Sequence, residues 1–171
     1  RNVLAACAIA GVAGVSPEVM AQTLRAFKGV EHRLETVRFL NDVTYVNDSI
    51  ATAPERVLAA LKSYDEPLVL LLGGADKKLP WGDMLALALQ KSRKIIAFGG
   101  SAGDIVEREI ANMDALERCV RVGTVAEAVA EALKVAQVGD VVLLSPGGTS
   151  FDAYTDFAAR GNHFREIVAA L

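Results

Sequence analysis

The chain has 171 residues, of which 52% are hydrophobic and 23% are charged, and its formal net charge is −3. This size and composition suit one compact α/β domain with room for a small appendage. The slightly acidic balance gives no general attraction to nucleic acid or to anionic membranes. The lack of an apolar run of about eighteen residues argues against a transmembrane helix.

The first predicted elements are two helices, at residues 2–12 and 17–27. The first is rich in alanine. The second has Ser16 as its N-cap and stops at Gly29. Residues 2–10 would also suit a signal peptide. Because no initiator Met precedes them and the helical pattern continues, we interpret the chain as a fragment that begins inside a helix.

Strands and helices then alternate along the chain. The predicted strands cover residues 35–40, 43–46, 68–72, 94–98, 119–122 and 141–144. The predicted helices cover residues 54–61, 81–90, 104–113, 125–136 and 151–171, and Gly161 is a candidate break in the last of them. The first two strands form a hairpin around Asn41 and Asp42, and the helical connections between the others predict a mostly parallel sheet. We therefore predict an α/β fold with about six strands, helices on both faces of the sheet, and a short helical segment ahead of it.

Polar loops follow three of the apolar strands, at residues 47–52, 73–78 and 145–152. Because open parallel sheets bind ligands at the carboxyl ends of their strands, these loops predict one shared crevice. Asp48 can hold a ribose hydroxyl, a Mg²⁺-bound water or a cationic partner. Taken alone, however, Asp48 or Ser49 is more simply interpreted as a cap of the helix that follows.

The two glycine-bearing loops are ambiguous in a similar way. In the first, glycines let the backbone approach an anion and Lys77 supplies a charge, but the P-loop spacing is missing and a plain turn is an equal alternative. In the second, backbone N–H groups with the hydroxyls of Thr149 and Ser150 suit an anion at a helix N-terminus. A glycine turn before a capped helix explains the second loop equally well.

Other candidate residues carry weaker signals. Residues 98–103 lack the Gly-x-Gly-x-x-Gly order of a dinucleotide loop, so we interpret them as structural. We expect His32 to be structural and His163 to be solvated or capping, whereas Arg33 is able to pair with a phosphate. Cys7 and Cys119 are interpreted as small apolar fillers, as in a reducing cytoplasm. The spacings give no support to a metal hydrolase or to a Ser triad.

The order of the motifs is more informative than any one motif. Along the chain stand Phe27-Lys28-Gly29-Val30-Glu31-His32-Arg33, Tyr45-Val46-Asn47-Asp48-Ser49-Ile50-Ala51-Thr52, Leu72-Gly73-Gly74-Ala75-Asp76-Lys77, Leu144-Ser145-Pro146-Gly147-Gly148-Thr149-Ser150 and Phe157-Ala158-Ala159-Arg160-Gly161. This set resembles the carboxyl-terminal part of the Mur ligases, and the resemblance covers essentially the whole chain. The last motif is most similar to the family member that adds D-glutamate.

The resemblance implies a Rossmann-like carboxyl-terminal ligase domain at residues 30–171, and at 1–29 the helical tail of a central ATP-binding domain. Such ligases are cytoplasmic three-domain enzymes of peptidoglycan synthesis. The implied reaction converts the carboxylate of UDP-N-acetylmuramoyl-L-alanine into an acyl phosphate, which the amine of D-glutamate attacks. ATP and Mg²⁺ would be bound mainly by the central domain, so the fragment alone is expected to be inactive. Another Mur ligase, a folylpolyglutamate-type amide ligase domain and a non-catalytic anion-binding module remain alternatives.

The resemblance also implies ligand-binding roles for seven residues. Those matching nucleotide contacts are Asn2 near the adenine, Arg33 near the phosphates, and Asp48. Those matching positions that hold D-glutamate are Thr52, Lys77, Ser150 and Phe157. Lys77 is able to neutralise a carboxylate, and donors near Ser150 would fix its orientation.

One position departs from the family pattern. Mur ligases commonly have Ser-Lys-Ala-Thr where this chain has Ser49-Ile50-Ala51-Thr52. Ile50 supplies no positive charge. Either another cation, such as Lys78, compensates, or this chain handles its substrate differently.

Overall fold

The computed structural model describes residues 2–171 and contains one mixed sheet of six strands. The strands, in chain order, are β1 (Glu35–Leu40), β2 (Val43–Asn47), β3 (Leu68–Gly73), β4 (Ser92–Phe98), β5 (Cys119–Val122) and β6 (Val141–Gly147). Their order across the sheet is β1-β2-β6-β3-β4-β5. β1 and β2 pair antiparallel, and all other neighbours are parallel. The predicted fold class is therefore confirmed.

The helices precede, connect and follow these strands. They are α1 (Asn2–Val12), α2 (Pro17–Ala26), α3 (Pro54–Leu61), α4 (Gly82–Lys91), α5 (Ser101–Asn112), α6 (Val125–Val135) and α7 (Phe157–Ala169), with a 3₁₀ turn at Leu116–Arg118. Within residues 2–171, none of these helices is long and apolar enough to cross a membrane.

The hairpin between β1 and β2 closes with a two-residue turn. Asn41 and Asp42 have φ values of 52° and 58°. Two consecutive positive φ values are the geometry of a type I′ turn, which matches the twist of the strands on either side. Asn and Asp tolerate this left-handed region better than most residues. The hairpin predicted around these two residues is therefore confirmed, although neither is the usual glycine.

The sheet separates two apolar layers because successive side chains of a strand point to opposite faces. In β3, Leu70 packs with α3, α4 and α5 on one face. Val69 and Leu71 of the same strand pack with α6 and α7 on the other. All six residues of β3 and all seven of β6 are buried, so these two strands form the middle of the molecule. Their carboxyl ends position the candidate site.

The last helix begins later than predicted. The pattern placed its start at residue 151, whereas α7 begins at Phe157 and continues through Gly161 without a break. Asp156 is its N-cap and accepts a 2.7 Å hydrogen bond from the N–H of Ala159. Upstream, the Asp152 carboxylate accepts a 3.1 Å bond from the N–H of Gly100. Residues 151–156 are therefore held as a turned loop over the end of β4.

Candidate functional site

Three loops meet at the carboxyl ends of the neighbouring strands β2, β6 and β3. The N–H of Asp48 donates to the carbonyl of Leu144 at 2.8 Å. Ala75 and Thr149 exchange two backbone hydrogen bonds of 2.9 and 2.8 Å. A Cβ at Gly74, where φ is 96°, would lie 2.1 Å from the carbonyl oxygen of Thr149, so only glycine allows this approach. The three loops therefore meet at one edge of the sheet, where the sequence predicts a shared crevice.

Asp48 is a buried acceptor in this crevice. Its side chain accepts a 3.2 Å bond from the N–H of Leu34 and a 2.8 Å bond from the hydroxyl of Ser145. Burial raises the pKa of Asp48, and these two hydrogen bonds partly oppose the rise. Helix α3 starts after Ala53 without a side-chain cap. The interpretation of Asp48 or Ser49 as the cap of that helix is therefore wrong.

Asn47, for which no role was predicted, is the centre of a buried hydrogen-bond network. Its side chain has no exposed surface. Its Nδ2 lies 3.0 Å from Nδ1 of His32, 3.2 Å from Oε2 of Glu35 and 3.3 Å from the carbonyl of Gly161. Its Oδ1 accepts a 3.1 Å bond from the N–H of Ser49. Asn47 thus ties β2 to the segment before β1 and to α7.

Burial and the neighbouring Arg165 shift the pKa values of the two titratable groups in this network, His32 and Glu35. Burial and the Arg165 charge lower the pKa of His32, which favours the neutral imidazole that accepts from Asn47. Burial alone would raise the pKa of Glu35. However, a 2.9 Å bond from the N–H of His32 and a 2.6 Å bond from Arg165 hold that pKa below its ordinary value. The expectation that His32 is structural agrees with these contacts.

Arg33 lies on a strained turn beside Asp48. His32 and Leu34, on either side of it, have φ values of 60° and 43°, in the left-handed region that a bulky residue such as Leu rarely adopts. Two hydrogen bonds hold the turn against β2. The N–H of Ile50 donates to His32 at 3.2 Å, and that of Leu34 donates to Asp48 at 3.2 Å. The fold therefore fixes the backbone of Arg33 while its side chain remains exposed.

Arg33 and Asp48, both matched to nucleotide contacts, line one open cavity of about 160 Å³. We call it the Asp48 pocket. Its lining residues are Arg33, Leu34, Asp48, Ile50, Ala51, Arg56, Ala59, Ala60 and Ser63. The structure therefore brings two of the three predicted nucleotide residues together.

Arg160 is a second buried centre that the sequence analysis did not select. Only 1% of its surface is exposed. Its Nε donates to the hydroxyl of Ser49 at 3.0 Å, and its Nη2 donates to the Ser49 carbonyl at 2.9 Å. Its Nη1 reaches the carbonyls of Gly148 and Thr149 at 3.2 and 3.1 Å. Burial lowers the pKa of Arg160 to about 10, so it remains a cation at neutral pH.

The position of Arg160 in α7 carried a signal that could have identified it. The buried residues of this helix are Arg160, Gly161, Phe164 and Val168. Spacings of four and eight residues place Arg160 on the same face as Phe164 and Val168. An arginine in phase with core residues needs several buried acceptors, and the loops after β2 and β6 supply them.

Thr52 and Lys77, two of the four residues matched to D-glutamate contacts, pair directly. Nζ of Lys77 donates to Oγ1 of Thr52 at 3.0 Å across the ends of β3 and β2. Asp76 stiffens the loop that carries Lys77. Its carboxylate accepts a 2.8 Å bond from the N–H of Lys78 and a 3.0 Å bond from Nε1 of Trp81. Lys77 itself is exposed.

Ser150 and Phe157 lie on the loop after β6 and at the start of α7. Ser150 is 2% exposed, and its carbonyl accepts from the N–H groups of Ala153 and Tyr154 at 3.1 and 2.8 Å. The carbonyl of Phe157 accepts a 2.7 Å bond from the hydroxyl of Ser49. The Phe157 ring packs edge-on against His32 with 6.1 Å between centroids. Phe157 thus contacts the buried network rather than the Lys77 pair.

Asn2 belongs to α1, which precedes the sheet and carries none of the groups described above. It is exposed at the start of α1, and neither α1 nor α2 has a buried residue. The two helices pack against each other around a small apolar groove that includes Cys7 and Met20. The predicted N-cap of α2 is confirmed, because Ser16 accepts from the N–H of Val19.

Two further expectations concern residues near the crevice. The expectation for His163 is wrong, because Nδ1 of His163 lies 2.8 Å from the hydroxyl of Tyr154 and the residue is half-buried. The structural interpretation of residues 98–103 agrees with the fold. There, the N–H of Ala102 donates to Gly74 at 2.9 Å and the N–H of Gly100 donates to Asp152.

Together, the sheet order and the polar loops at adjacent strand ends define a Rossmann-like α/β domain, a fold that binds ligands at this edge of the sheet in other proteins. The sequence family described as "Mur ligase, glutamate ligase domain" matches residues 32–148. This match covers well over half of the chain. The chain belongs to the Mur ligase family.

Two relatives carry the name UDP-N-acetylmuramoylalanine--D-glutamate ligase. That of Roseiflexus sp. (strain RS-1) is 41% identical over 98% of this chain and 36% of the relative. That of Salinibacter ruber is 44% identical over 99% of this chain and 36% of the relative. The chain thus spans little more than a third of the length of these relatives. Among solved structures, a bifunctional folylpolyglutamate synthase/dihydrofolate synthase from Yersinia pestis CO92 has the same fold. Its TM-score is 0.60 at 18% identity, covering 91% of this chain and 34% of that one.

Proposed function

We propose that residues 30–171 are the amino-acid-binding domain of an ATP-dependent ligase that joins D-glutamate to UDP-N-acetylmuramoyl-L-alanine. Residues 1–29 belong to the preceding ATP-binding domain in this proposal. The names of the relatives at 41% and 44% identity support the substrate assignment. The parent enzyme would act in the cytoplasm, in peptidoglycan synthesis.

The proposed reaction has two steps. The L-alanine carboxylate attacks the γ-phosphorus of ATP, which forms an acyl phosphate and releases ADP. The amine of D-glutamate then attacks the acyl carbon, which forms the amide and releases phosphate and a proton. All reacting groups except the amine are anionic, so positioned cations and N–H donors are what the domain has to contribute. Mg²⁺ would be held by the upstream domains.

One observation carries the proposal: the 3.0 Å hydrogen bond between Lys77 and Thr52. These residues are 25 positions apart in sequence and follow different strands, and the resemblance matches both of them to D-glutamate contacts. An ammonium and a hydroxyl at this distance are able to bind one carboxylate together, with the ammonium neutralising its charge. The hydroxyl also gives the carboxylate an orientation.

Arg160, which is buried, supports the same assignment because it holds the loops that carry the proposed contacts. Arg160 donates hydrogen bonds to the carbonyls of Ser49, Gly148 and Thr149, so it holds the loops after β2 and β6 in one arrangement. Ser150 follows these carbonyls directly. A site that positions an amine for attack needs such fixed loops, because misplacement by about 1 Å is costly for the reaction rate.

The test uses the full-length ligase that carries this chain. Phosphate release in the presence of ATP and UDP-N-acetylmuramoyl-L-alanine should require D-glutamate and should not occur with L-glutamate or other amino acids. Lys77→Ala should raise the KM for D-glutamate at least tenfold, because a charge-assisted contact of about 1.5–3 kcal/mol is lost, while the KM for ATP stays within about twofold. Lys78→Ala, the neighbouring exposed lysine, is the matched control.

Three outcomes would contradict the proposal in different ways. Turnover with another amino acid in place of D-glutamate would reject the substrate. Equal effects of Lys77→Ala and Lys78→Ala on the KM for D-glutamate would reject the role of Lys77. Full activity of the 171-residue chain without upstream domains would reject the division of labour between domains.

A further inference from the structure

The Asp48 pocket contains more positive charge than the resemblance assigns to it. Besides Arg33, it is lined by Arg56, which lies in the first turn of α3. Both guanidinium groups contribute to opposing the burial-driven rise in the pKa of Asp48, so their charges are felt at the buried carboxylate. The pocket therefore combines two cations with one acceptor, while Ile50, Ala59 and other apolar residues form its walls.

The fold does not use the charge of Arg56. Within residues 2–171, no carboxylate lies within salt-bridge distance of Arg56 or Arg33, and the ion pairs of the structure involve other residues. A cation in the first turn of a helix is also unfavourable, because it opposes the positive end of the helix dipole. The Arg56 side chain is exposed and free to meet an anion at the pocket.

Arg56 lies close to the position where the chain lacks the family's usual lysine. Ile50, which replaces that lysine, lines the same pocket as Arg56. Arg56, six residues after Ile50, therefore supplies a positive charge to the pocket where Ile50 supplies none. Lys78, the other cation considered for this role, does not line the pocket.

We infer that Arg56 is a second phosphate-binding residue, which acts with Arg33 to hold the phosphates of a nucleotide in the Asp48 pocket and replaces the charge missing at Ile50. This inference rests on the proposed function and on the nucleotide contacts that the resemblance implies for Arg33 and Asp48. Two guanidinium groups suit a diphosphate or triphosphate, because each is able to donate two parallel hydrogen bonds to phosphate oxygens. Asp48 is an acceptor suited to a hydroxyl of the same ligand.

The test is a titration of the 171-residue chain with ADP, followed by backbone amide chemical shifts. ADP should shift amides of residues 33–34, 48–51 and 56–60 with an affinity in the millimolar range. Arg56→Gln should weaken ADP binding about three- to tenfold, because the lost charge-assisted contact is exposed and partly screened by solvent. Arg108→Gln, an exposed arginine on α5, is the matched control and should leave ADP binding unchanged. Adenosine, which has no phosphate, should bind all three proteins equally.

A rescue variant tests the replacement directly. In Arg56→Gln, the further change Ile50→Lys should restore at least half of the lost ADP affinity. If Arg56→Gln binds ADP as tightly as Arg108→Gln does, or if Ile50→Lys restores nothing, the inference is wrong while the pocket remains a nucleotide site. If ADP shifts no amide of the pocket in any variant, the nucleotide-facing role in the proposed function is wrong as well. Preserved amide dispersion in each variant excludes unfolding as the cause.

Discussion

Two sets of polar side chains, from several elements, meet near the carboxyl end of β2 and differ in what holds them. We call the first the buried network, which consists of His32, Asn47, Ser49 and Arg160, each at most 5% exposed. We call the second the rim, which consists of the exposed Arg33 and Lys77 and the half-buried Thr52. The buried network bonds to backbone groups more than a hundred residues away, whereas the rim makes a single side-chain pair. The network therefore fixes the loops, and in the proposed function the rim binds the ligands.

Variants of the network should therefore lose stability, whereas variants of the rim should lose binding. The largest effect is expected for Arg160→Met, which leaves the carbonyls of Ser49, Gly148 and Thr149 buried without a donor. We expect a loss of about 3–5 kcal/mol in the free energy of unfolding. Urea titration followed by fluorescence of Trp81, the single tryptophan of the chain and 4% exposed, measures it.

Arg160→Lys separates charge from geometry at this position. The lysine keeps a cation but is unable to reach three carbonyls at once. The unfolding free energy of Arg160→Lys should therefore lie between those of the wild type and Arg160→Met. Arg108→Met is the control on an exposed helix face and should change the unfolding free energy by less than about 0.5 kcal/mol. An equally small change for Arg160→Met would show that the network does not hold the loops.

Asn47→Ala should give the next largest effect. The variant leaves Nδ1 of His32 and the carbonyl of Gly161 without their donor, and the expected cost is about 2–3 kcal/mol. Asn112→Ala, an exposed asparagine at the end of α5, is the matched control and should cost nearly nothing. Equal costs for the two variants in the same urea titration would contradict the central place of Asn47.

The network also predicts a pH dependence of stability. The pKa of His32 is lowered in the folded chain. As the pH falls below the ordinary pKa of 6.5, the unfolded chain therefore binds a proton more readily than the folded chain does. The unfolding free energy should therefore fall as the pH decreases from about 7. Glu35, whose folded pKa is also lowered, adds a further loss below its ordinary value of 4.5. His32→Gln should flatten the slope between pH 7 and 5. An unchanged slope would show that His32 does not titrate on unfolding.

The smallest effect on stability is expected at the rim. Thr52→Val and Lys77→Met remove one partly exposed hydrogen bond and should change the unfolding free energy by less than about 0.5 kcal/mol. The same variants should abolish detectable binding of D-glutamate in an amide-shift titration. A stability loss comparable to that of Asn47→Ala would place Thr52 and Lys77 in the structural network instead of the rim.

The sequence predicted what depends on local pattern. Each apolar strand and the turn at Asn41 and Asp42 follow from residue types a few positions apart, and the alternation with helices follows from the same patterns. The placement of the polar loops at one edge then follows from a general rule for parallel sheets, in which the carboxyl ends of the strands lie together. For these reasons the fold and the meeting of the three loops were predictable without coordinates.

What the sequence did not predict depends on contacts between distant segments. The roles of Asn47 and Arg160 arise from bonds that span 114 and 111 residues. Asp48 looked like a helix cap because caps are local, but its actual partners are Leu34 and Ser145. The start of α7 was misplaced because the bond from Gly100 to Asp152 keeps the preceding residues out of the helix.

The most direct test of the account is the location of D-glutamate on the chain itself. In a titration of the 171-residue protein with D-glutamate, the largest backbone amide shifts should fall in residues 49–52, 75–78 and 148–151. Lys77→Met should remove them, because the carboxylate loses its cation. Shifts centred elsewhere, or identical shifts in wild type and Lys77→Met, would contradict the claim that these three strand-end loops form the amino-acid site.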